Sequence, residues 1–300
     1  MRPKQHSILH RMGVYCKHFA LGFALICTQL TLSSASAQTI EPSEQTIQQA
    51  ATLFEQGVAA ADKGDFQQAI HNFTQVIALN PNDAQAYYNR GNAYGNLKDY
   101  SSAIRDYTQA IALKPNDAQA YSRRGIAYYN LKDYSSVIRD YTQVIALNPN
   151  DADAYVRRGI AYNLLKDDSS AIRDYNQAIA LNPNDADMYF CRGIAYYNLK
   201  DHSSAIRDYT QAIALNPNLA QAYYNRGNAY SELKDYSSAI RDYTQAIFLN
   251  PNLAQAYNNR AVSLALKNDY RSATRDARKA CSLGDCGMLE LLGNNGWLRD

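Results

Sequence analysis

Residues 84–117 read AQAYYNRGNAYGNLKDYSSAIRDYTQAIALKPND, and close variants of this stretch fill most of the 300-residue chain. Tyrosines and small residues keep the same register from copy to copy. Proline marks the period most clearly, because six of the eight prolines recur every 34 residues, at Pro81, Pro115, Pro149, Pro183, Pro217 and Pro251. A fixed period of this length is typical of a stack of supersecondary units rather than of a globular domain.

The spacing inside one unit predicts two amphipathic helices. Tyr87, Gly91 and Tyr94 recur at i, i+4 and i+7, and the same spacing returns from Ala103 onward. The polar run Lys-Asp-Tyr-Ser-Ser at 98–102 separates them and offers Asp or Ser to cap the second helix. Since proline cannot continue a helix, each Asn-Pro-Asn-Asp run ends one hairpin and caps the next. The sequence therefore predicts an all-α chain of helical hairpins.

These columns resemble the tetratricopeptide repeat. The unit carries that family's pattern as Tyr87-x2-Arg90-Gly91-x2-Tyr94, then Ala103-x3-Tyr107, then Pro115, with Tyr for the family's first Trp and Arg for its Leu. The resemblance implies a right-handed superhelical solenoid of about seven 34-residue helix-turn-helix repeats. The predicted units are 50–83, 84–117, 118–151, 152–185, 186–219, 220–253 and 254–287.

The last unit departs from the pattern, because Ala261, Leu264 and Ala277 replace Gly and two Tyr, and no proline closes it. A terminal repeat has no following neighbour to pack against, so these changes are typical of a capping repeat. Residues 288–300 are predicted to form a short helix and tail that cover this hairpin. Residues 38–49 are predicted to be a polar segment that leads into the first helix.

Residues 1–37 have the pattern of a cleaved signal peptide. Four Lys and Arg side chains precede an apolar core at 19–27, and Ala-Ser-Ala at 35–37 precedes Gln38. The apolar stretch is short for a membrane span of roughly 20 residues, and an uncut anchor is the alternative. We therefore expect an exported bacterial type of tetratricopeptide protein, in the periplasm, secreted or in a lumenal compartment, with no integral membrane span after cleavage.

The composition and the residue spacing argue against nucleic-acid binding, metal binding and catalysis. Cleavage leaves 26 Lys and Arg against 28 Asp and Glu, so no basic stripe is expected to bind nucleic acid. Outside the leader only His71 and His202 remain, and the chain has neither metal-ligand spacing nor a glycine-rich phosphate loop. We expect no enzymatic activity, no metal and no cofactor.

Three cysteines remain after cleavage, and two of them, Cys281 and Cys286, lie five residues apart. An exported compartment permits a disulfide between them, and the alternative is two small apolar side chains near a helix end. The repeated Arg-Asp steps, such as Arg105-Asp106, are interpreted as structural pairs that bond across hairpins, since adjacent residues of a helix do not face each other.

Positions that vary between copies mark the candidate binding surface. In this family the first helix of each unit lines a concave groove, and one column there reads Asn92, Ile126, Ile160, Ile194, Asn228 and Val262. Asparagine amides can pair with a peptide backbone, arginine can hold a carboxylate, and tyrosine adds rigid contact area. The predicted groove residues are Tyr88, Asn89, Asn92, Arg123, Tyr129, Asn130, Arg157, Asn163, Tyr197, Asn198, Tyr224, Asn225 and Asn228.

Two functions follow from this surface. The first is a non-catalytic protein–protein scaffold that holds an extended, acidic or C-terminal peptide in the groove. The second is a structural component of an envelope or lumenal assembly that acts through lateral packing or self-association. The groove does not reproduce the family's carboxylate clamp, because Tyr88 and Asp153 stand where lysines are wanted.

Overall fold

The computed structural model describes residues 43–298, which fold into fifteen helices without a strand. The predicted signal peptide lies outside these residues. Contacts place the repeat array from Gln45 onward in one compact unit. The helices are α1 (Glu44–Asp62), α2 (Phe66–Leu79), α3 (Ala84–Asn96), α4 (Tyr100–Leu113), α5 (Ala118–Asn130), α6 (Tyr134–Leu147), α7 (Ala152–Leu164), α8 (Asp168–Leu181), α9 (Ala186–Asn198), α10 (His202–Leu215), α11 (Ala220–Glu232), α12 (Tyr236–Leu249), α13 (Ala254–Leu266), α14 (Tyr270–Ser282) and α15 (Gly287–Asn294).

The first fourteen helices pair into seven hairpins, which we number repeats 1 to 7 in chain order, with an A helix followed by a B helix in each. The B helices of repeats 1 to 6 also pack against the A helix of the next repeat, and α15 packs on α14 and α13. The predicted all-α solenoid with a C-terminal capping helix is therefore confirmed. The first helix starts at Glu44, so residues 44–49, predicted as polar lead-in, are helical.

The turn inside each hairpin reverses the chain through one left-handed residue. In repeat 2 this residue is Lys98, with φ of 63°. Its N–H donates to the Gly95 carbonyl at 3.0 Å, and the Asp99 N–H donates to the Tyr94 carbonyl at 2.9 Å. These two bonds form a Schellman motif. The Asp99 side chain then accepts the Ser102 N–H at 3.1 Å and caps the B helix, as the polar run predicted.

The turn between hairpins uses aspartate in a similar way. Asp83 accepts the N–H groups of Gln85 and Ala86 and caps the next A helix. Aspartate caps the following three A helices too, whereas Leu219 and Leu253 stand at this position in the last two and make no side-chain cap. Most Asn-Pro-Asn-Asp runs thus end one hairpin and cap the next.

The core of a repeat depends on the pairing of one glycine with one aromatic ring. The Tyr107 ring of α4 lies so close to α3 that a Cβ added at Gly91 would stand 2.8 Å from its Cε1 atom. The same contact joins glycine to Phe73, Tyr141, Tyr175, Tyr209 and Tyr243 in the other repeats up to the sixth. Glycine is needed here for close approach, because any side chain would overlap the ring.

An arginine links each hairpin to the one before it. Arg90 donates through Nε and Nη2 to both carboxylate oxygens of Asp106 at 2.8 Å, and through Nη1 to Thr74 of the preceding B helix at 3.0 Å. The corresponding ion pairs are Arg124–Asp140, Arg158–Asp174, Arg192–Asp208, Arg226–Asp242 and Arg260–Asp276. The prediction that Arg105-Asp106 steps bond across hairpins is wrong. Asp106 pairs within its own hairpin, and Arg105 donates to Ser102 of its own helix.

The C-terminal helix closes the last repeat. Met288 and Leu292 of α15 are buried against Ala261 and Ala277 of repeat 7. Cys281 and Cys286 form a disulfide between the end of α14 and the start of α15. This cross-link closes a loop of only a few residues, so it holds the capping helix near the hairpin that it covers.

Candidate functional site: a ladder of pockets

Four pockets along the A helices share one construction, and we call them together the pocket ladder. The floor of each is the buried B-helix tyrosine of its repeat, and its walls come from the A helices of that repeat and of the next. Neighbouring pockets share wall residues, such as Ile126 between repeats 2 and 3. The floors in repeats 2, 3, 5 and 6 are Tyr107, Tyr141, Tyr209 and Tyr243.

The repeat-2 pocket is polar, with a volume of about 380 Å³. The Tyr107 hydroxyl on its floor donates to Asn92 Oδ1 at 2.9 Å. Because this oxygen already accepts the phenol hydrogen, the amide N–H groups of Asn92 are available as donors to a ligand in the pocket. Arg123 lines the same pocket, is exposed, and has no ion-pair or hydrogen-bond partner within residues 43–298. Asn92 and Arg123 together present donors to an acceptor group.

The repeat-3 pocket is apolar, with a volume of about 220 Å³. Its floor is Tyr141, whose hydroxyl bonds the Ser122 carbonyl at 3.4 Å, and burial raises the pKa of this tyrosine. The single charged group is Arg157, which donates to Asp153 one turn earlier at 2.5 Å. The remaining lining residues are Ile126, Tyr129, Val137 and Ile160.

The pockets of repeats 5 and 6 have no arginine in their lining. In repeat 6 the Tyr243 hydroxyl donates to Asn228 Oδ1 at 2.8 Å, and Asn259 Nδ2 donates to the same oxygen at 2.9 Å. Glu232 also lines this pocket. The repeat-2 pocket therefore contains an unpaired arginine, the repeat-3 pocket contains an arginine that is paired with Asp153, and the pockets of repeats 5 and 6 are neutral to acidic.

The structure brings eight of the thirteen predicted groove residues into these pockets. They are Asn92, Arg123, Tyr129, Asn130, Arg157, Tyr197, Asn225 and Asn228. Asparagine was expected to offer both its N–H and its C=O groups to a ligand. At Asn92 and Asn228 the oxygen instead accepts the hydroxyl hydrogen of the floor tyrosine.

The other five predicted residues serve neighbouring contacts instead. Tyr88 and Tyr224 lie against the core rings of Tyr107 and Tyr243, with centroids 5.9 and 6.0 Å apart. Asn89 accepts a hydrogen bond from Gln85 on its own helix.

Asn163 and Asn198 both donate to the buried Asp168, at 2.6 and 3.1 Å. Asp168 replaces the tyrosine found at this position in most copies, and it ties the A helices of repeats 4 and 5 together. These two asparagines are thus committed to a structural carboxylate.

The floor tyrosines and the isoleucine walls were not predicted as site residues. The tyrosines were predicted to serve packing, and their burial agrees with that prediction. The sequence does not indicate that each ring also contributes to the floor of a pocket. The isoleucines had a signal, because the column that begins at Asn92 switches between Asn, Ile and Val, whereas the core columns change at few positions.

The A helix of repeat 5 carries a cysteine where the A helices of repeats 3 and 4 place an arginine next to a pocket. Cys191 corresponds to Arg123 and Arg157 in register and packs with Val156 and Ile160. Its thiol is free, and burial, with a smaller contribution from Asp187, raises its pKa to about 11. A thiol with such a pKa is protonated at neutral pH, so it behaves here as an apolar wall.

Residues 43–298 show neither a metal-ligand cluster nor a helix suited to span a membrane. In this range no three His, Cys, Asp or Glu side chains converge as metal ligands would. None of the helices of this range combines the length and the apolar character that a bilayer crossing requires.

The repeats of this chain match known family models. The model described as tetratricopeptide repeat matches residues 84–117, 118–151, 186–219 and 220–253, and the model described as TPR repeat matches 57–98 and 163–200. Together the two models match more than half of the chain. The chain belongs to the tetratricopeptide repeat family. A search among curated proteins found no match.

Solved structures agree on the fold of this tetratricopeptide repeat protein. A crystal structure of MamA is 25% identical, with a TM-score of 0.53 over 55% of this chain and 91% of that chain. A tetratricopeptide repeat protein from Parabacteroides merdae has a TM-score of 0.61 at 20% identity, over 82% of this chain and 98% of its own. YrrB, described as a TPR protein with an unusual peptide-binding site, has a TM-score of 0.55 at 23% identity, over 65% and 97%.

Proposed function

We propose that this protein is a non-catalytic scaffold that binds an extended peptide segment of a partner protein along the pocket ladder. The observation that carries the proposal is the repetition of the pocket. Four copies of one cavity, each floored by a tyrosine, form two adjoining pairs, in repeats 2 and 3 and in repeats 5 and 6, and the shared walls within a pair suit neighbouring side chains of one extended chain.

Charge supports an acidic segment or a chain terminus as the ligand. Arg123 is exposed and unpaired within residues 43–298, while Arg157 shares its charge with the exposed Asp153. A guanidinium that gains a carboxylate partner contributes about 1.5–3 kcal/mol through charged hydrogen bonds. The peptide-binding site for which YrrB is described is consistent with this use of the fold.

The test replaces both arginines, in the variant Arg123→Glu with Arg157→Glu. The wild-type protein and the variant are immobilised, and proteins captured from an extract of the producing cells are compared by quantitative mass spectrometry. We expect the variant to lose the captured partner while its far-UV circular dichroism stays unchanged, since both positions are exposed.

A matched control is available on the B helices. Arg105→Glu with Arg139→Glu makes the same change of charge at exposed positions outside the pocket ladder. The control should retain the partner. Equal capture by both double variants and the wild type would reject binding in the ladder.

We propose further that the protein acts outside the cytoplasm, after cleavage before Gln38. The Cys281–Cys286 disulfide supports this placement, because disulfides persist mainly in oxidising compartments. N-terminal sequencing of the protein from its native cells should find Gln38 first, and thiol labelling before reduction should modify one cysteine, Cys191, and only after unfolding. An intact leader or labelled Cys281 would contradict export.

A second function, lateral self-association, has one observation in its favour. The A-helix ends of the five inner repeats each expose a leucine, 41–49% accessible, whereas repeats 1 and 7 place Lys63 and Lys267 there. The leucines are Leu97, Leu131, Leu165, Leu199 and Leu233. Sedimentation velocity would detect a mass that rises with concentration and falls when Leu131, Leu165 and Leu199 become serine. A constant monomer mass would reject this function.

A further inference from the structure

One column of the pocket ladder switches between two residue types. Repeats 2 and 6 place Asn92 and Asn228 beside their floor tyrosines, and both asparagines accept the phenol hydrogen. Repeats 3 and 5 place Ile126 and Ile194 in the same register. The chain thus contains two kinds of pocket on one scaffold, and the side chain beside the floor tyrosine is one position at which they differ.

The repeat-3 pocket is the most apolar of the ladder. Ile126, Val137, Ile160 and two tyrosine rings enclose it, and Val137 is fully buried. Val137 also departs from the repeat, since alanine occupies this column in the other copies. The polar groups of this lining are Arg157 and the hydroxyls of Tyr129 and Tyr141, and the Tyr141 hydroxyl is already bonded to the Ser122 carbonyl. A branched apolar side chain would therefore be buried more favourably here than a polar one.

The repeat-2 pocket adjoins it through Ile126 and has the opposite character. Its donors are the Asn92 amide, whose oxygen is engaged by Tyr107, and the unpaired Arg123. Because one side chain forms a wall of both pockets, groups that enter the two pockets must lie close together on the ligand.

We infer that the segment bound by repeats 2 to 4 carries a carboxylate, which Arg123 and the Asn92 amide bind, next to a bulky aliphatic side chain, which enters the repeat-3 pocket. The inference rests on the proposed function and adds the chemistry of the ligand. The pockets of repeats 5 and 6, whose lining includes Asn225, Asn228 and Glu232, contact the continuation of the segment.

The experiment uses a random decapeptide library displayed on phage and selected on the immobilised full chain. Peptides enriched on the wild type should contain Asp, Glu or a free C-terminus close to Leu, Ile, Val or Met. In fluorescence anisotropy with one enriched peptide, changing the acid to its amide should weaken binding about tenfold or more, as expected for a lost charged hydrogen bond.

Variants taken from the chain's own repeats separate the two contacts. Ile126→Asn installs the residue that repeats 2 and 6 carry in the same register, and should remove the preference for an aliphatic side chain. Val137→Ala restores the residue of the other repeats and enlarges the pocket, so the preference should move toward Phe or Trp. Arg123→Gln should remove the acidic preference, while Arg139→Gln, outside the ladder, should leave both preferences intact.

The outcomes distinguish the inference from the function on which it rests. Enriched peptides that show no aliphatic–acidic pair, but lose binding in the Arg123→Glu, Arg157→Glu variant, would overturn the inference and retain groove binding. A preference that survives Ile126→Asn and Arg123→Gln would also overturn it. Selection without any enrichment would overturn peptide binding itself.

Discussion

An inner repeat and the last repeat fill the space between their two helices and the next helix with different side chains. In repeat 4, Gly159 makes room for the ring of Tyr175, which is also buried against Ala195 of the next repeat. In repeat 7 the corresponding positions are Ala261 and Ala277, and no further A helix follows within residues 43–298.

The missing ring volume in repeat 7 is supplied by α15. Met288 and Leu292 pack into the cluster around Ala261 and Ala277. The difference shows that the tyrosine column belongs to the interface between successive repeats. Because the capping helix inserts the long side chains of Met288 and Leu292, the facing residues of the last hairpin have small side chains.

The largest effect should come from removing an inner ring. Tyr175→Ala empties a fully buried site between repeats 4 and 5 and should destabilise the protein by about 3–5 kcal/mol. Because stability in a repeat array depends on neighbour interfaces, the loss should split unfolding into two transitions. Urea denaturation followed by circular dichroism measures both. Tyr129→Ala, at a tyrosine that is 44% exposed, is the control and should change little.

The equivalent change at the end should be nearly as large but local. Leu292 is 0% exposed, so Leu292→Ala should cost about 2–5 kcal/mol within repeat 7. Hydrogen exchange should accelerate in α13 to α15 and stay unchanged in repeats 2 to 5. The neighbouring Leu291 is 50% exposed, and Leu291→Ala should have a small effect. Exchange that accelerates along the whole array would contradict a local cap.

Exchanging glycine and alanine between the two regions should destabilise both. A Cβ at residue 193 would stand 2.7 Å from Tyr209 Cε1, so Gly193→Ala should cost about 1–3 kcal/mol by overpacking. Ala261→Gly should cost about 1 kcal/mol, because glycine is a poor helix former.

The control for this pair is Gly95→Ala, whose Cβ would lie 3.7 Å from the Tyr107 hydroxyl, in ordinary contact. It should be neutral or stabilise α3 by up to about 1 kcal/mol. Thermal melting of the three variants measures these differences. A stable Gly193→Ala variant would show that the ring can move away.

The smallest effect is expected at the turn between the two helices of a hairpin, where the terminal repeats also differ from the inner repeats. Inner repeats place lysine at the left-handed position, as at Lys166 with φ of 63°, whereas repeat 1 has Gly64 and repeat 7 has Asn268. Lys166→Gly should raise stability by up to about 1 kcal/mol, because the lysine Cβ is strained there. Asn268→Gly should raise it less, since asparagine tolerates this conformation better. A lower melting temperature for Lys166→Gly would refute strain at this turn.

Much of the fold could be predicted from the sequence because the same residue pattern recurs from unit to unit. One Pro81 would mean little, but six prolines in register define the hairpins, and the aspartate caps follow from local chemistry. The candidate site was only partly predictable. Tyr88 and Asn163 resemble the other site residues in sequence, yet the structure turns one to a core ring and the other to Asp168.

The sequence by itself determined the helices, their turns, their number and the special character of the last repeat, because these depend on residues close together in the chain. Only the tertiary structure decided which groups face a ligand. The orientation of the Asn92 amide depends on a phenol fifteen residues away on another helix. The walls of each pocket likewise come from two successive repeats. Such contacts form only when hairpins stack, so their geometry cannot be derived from one unit alone.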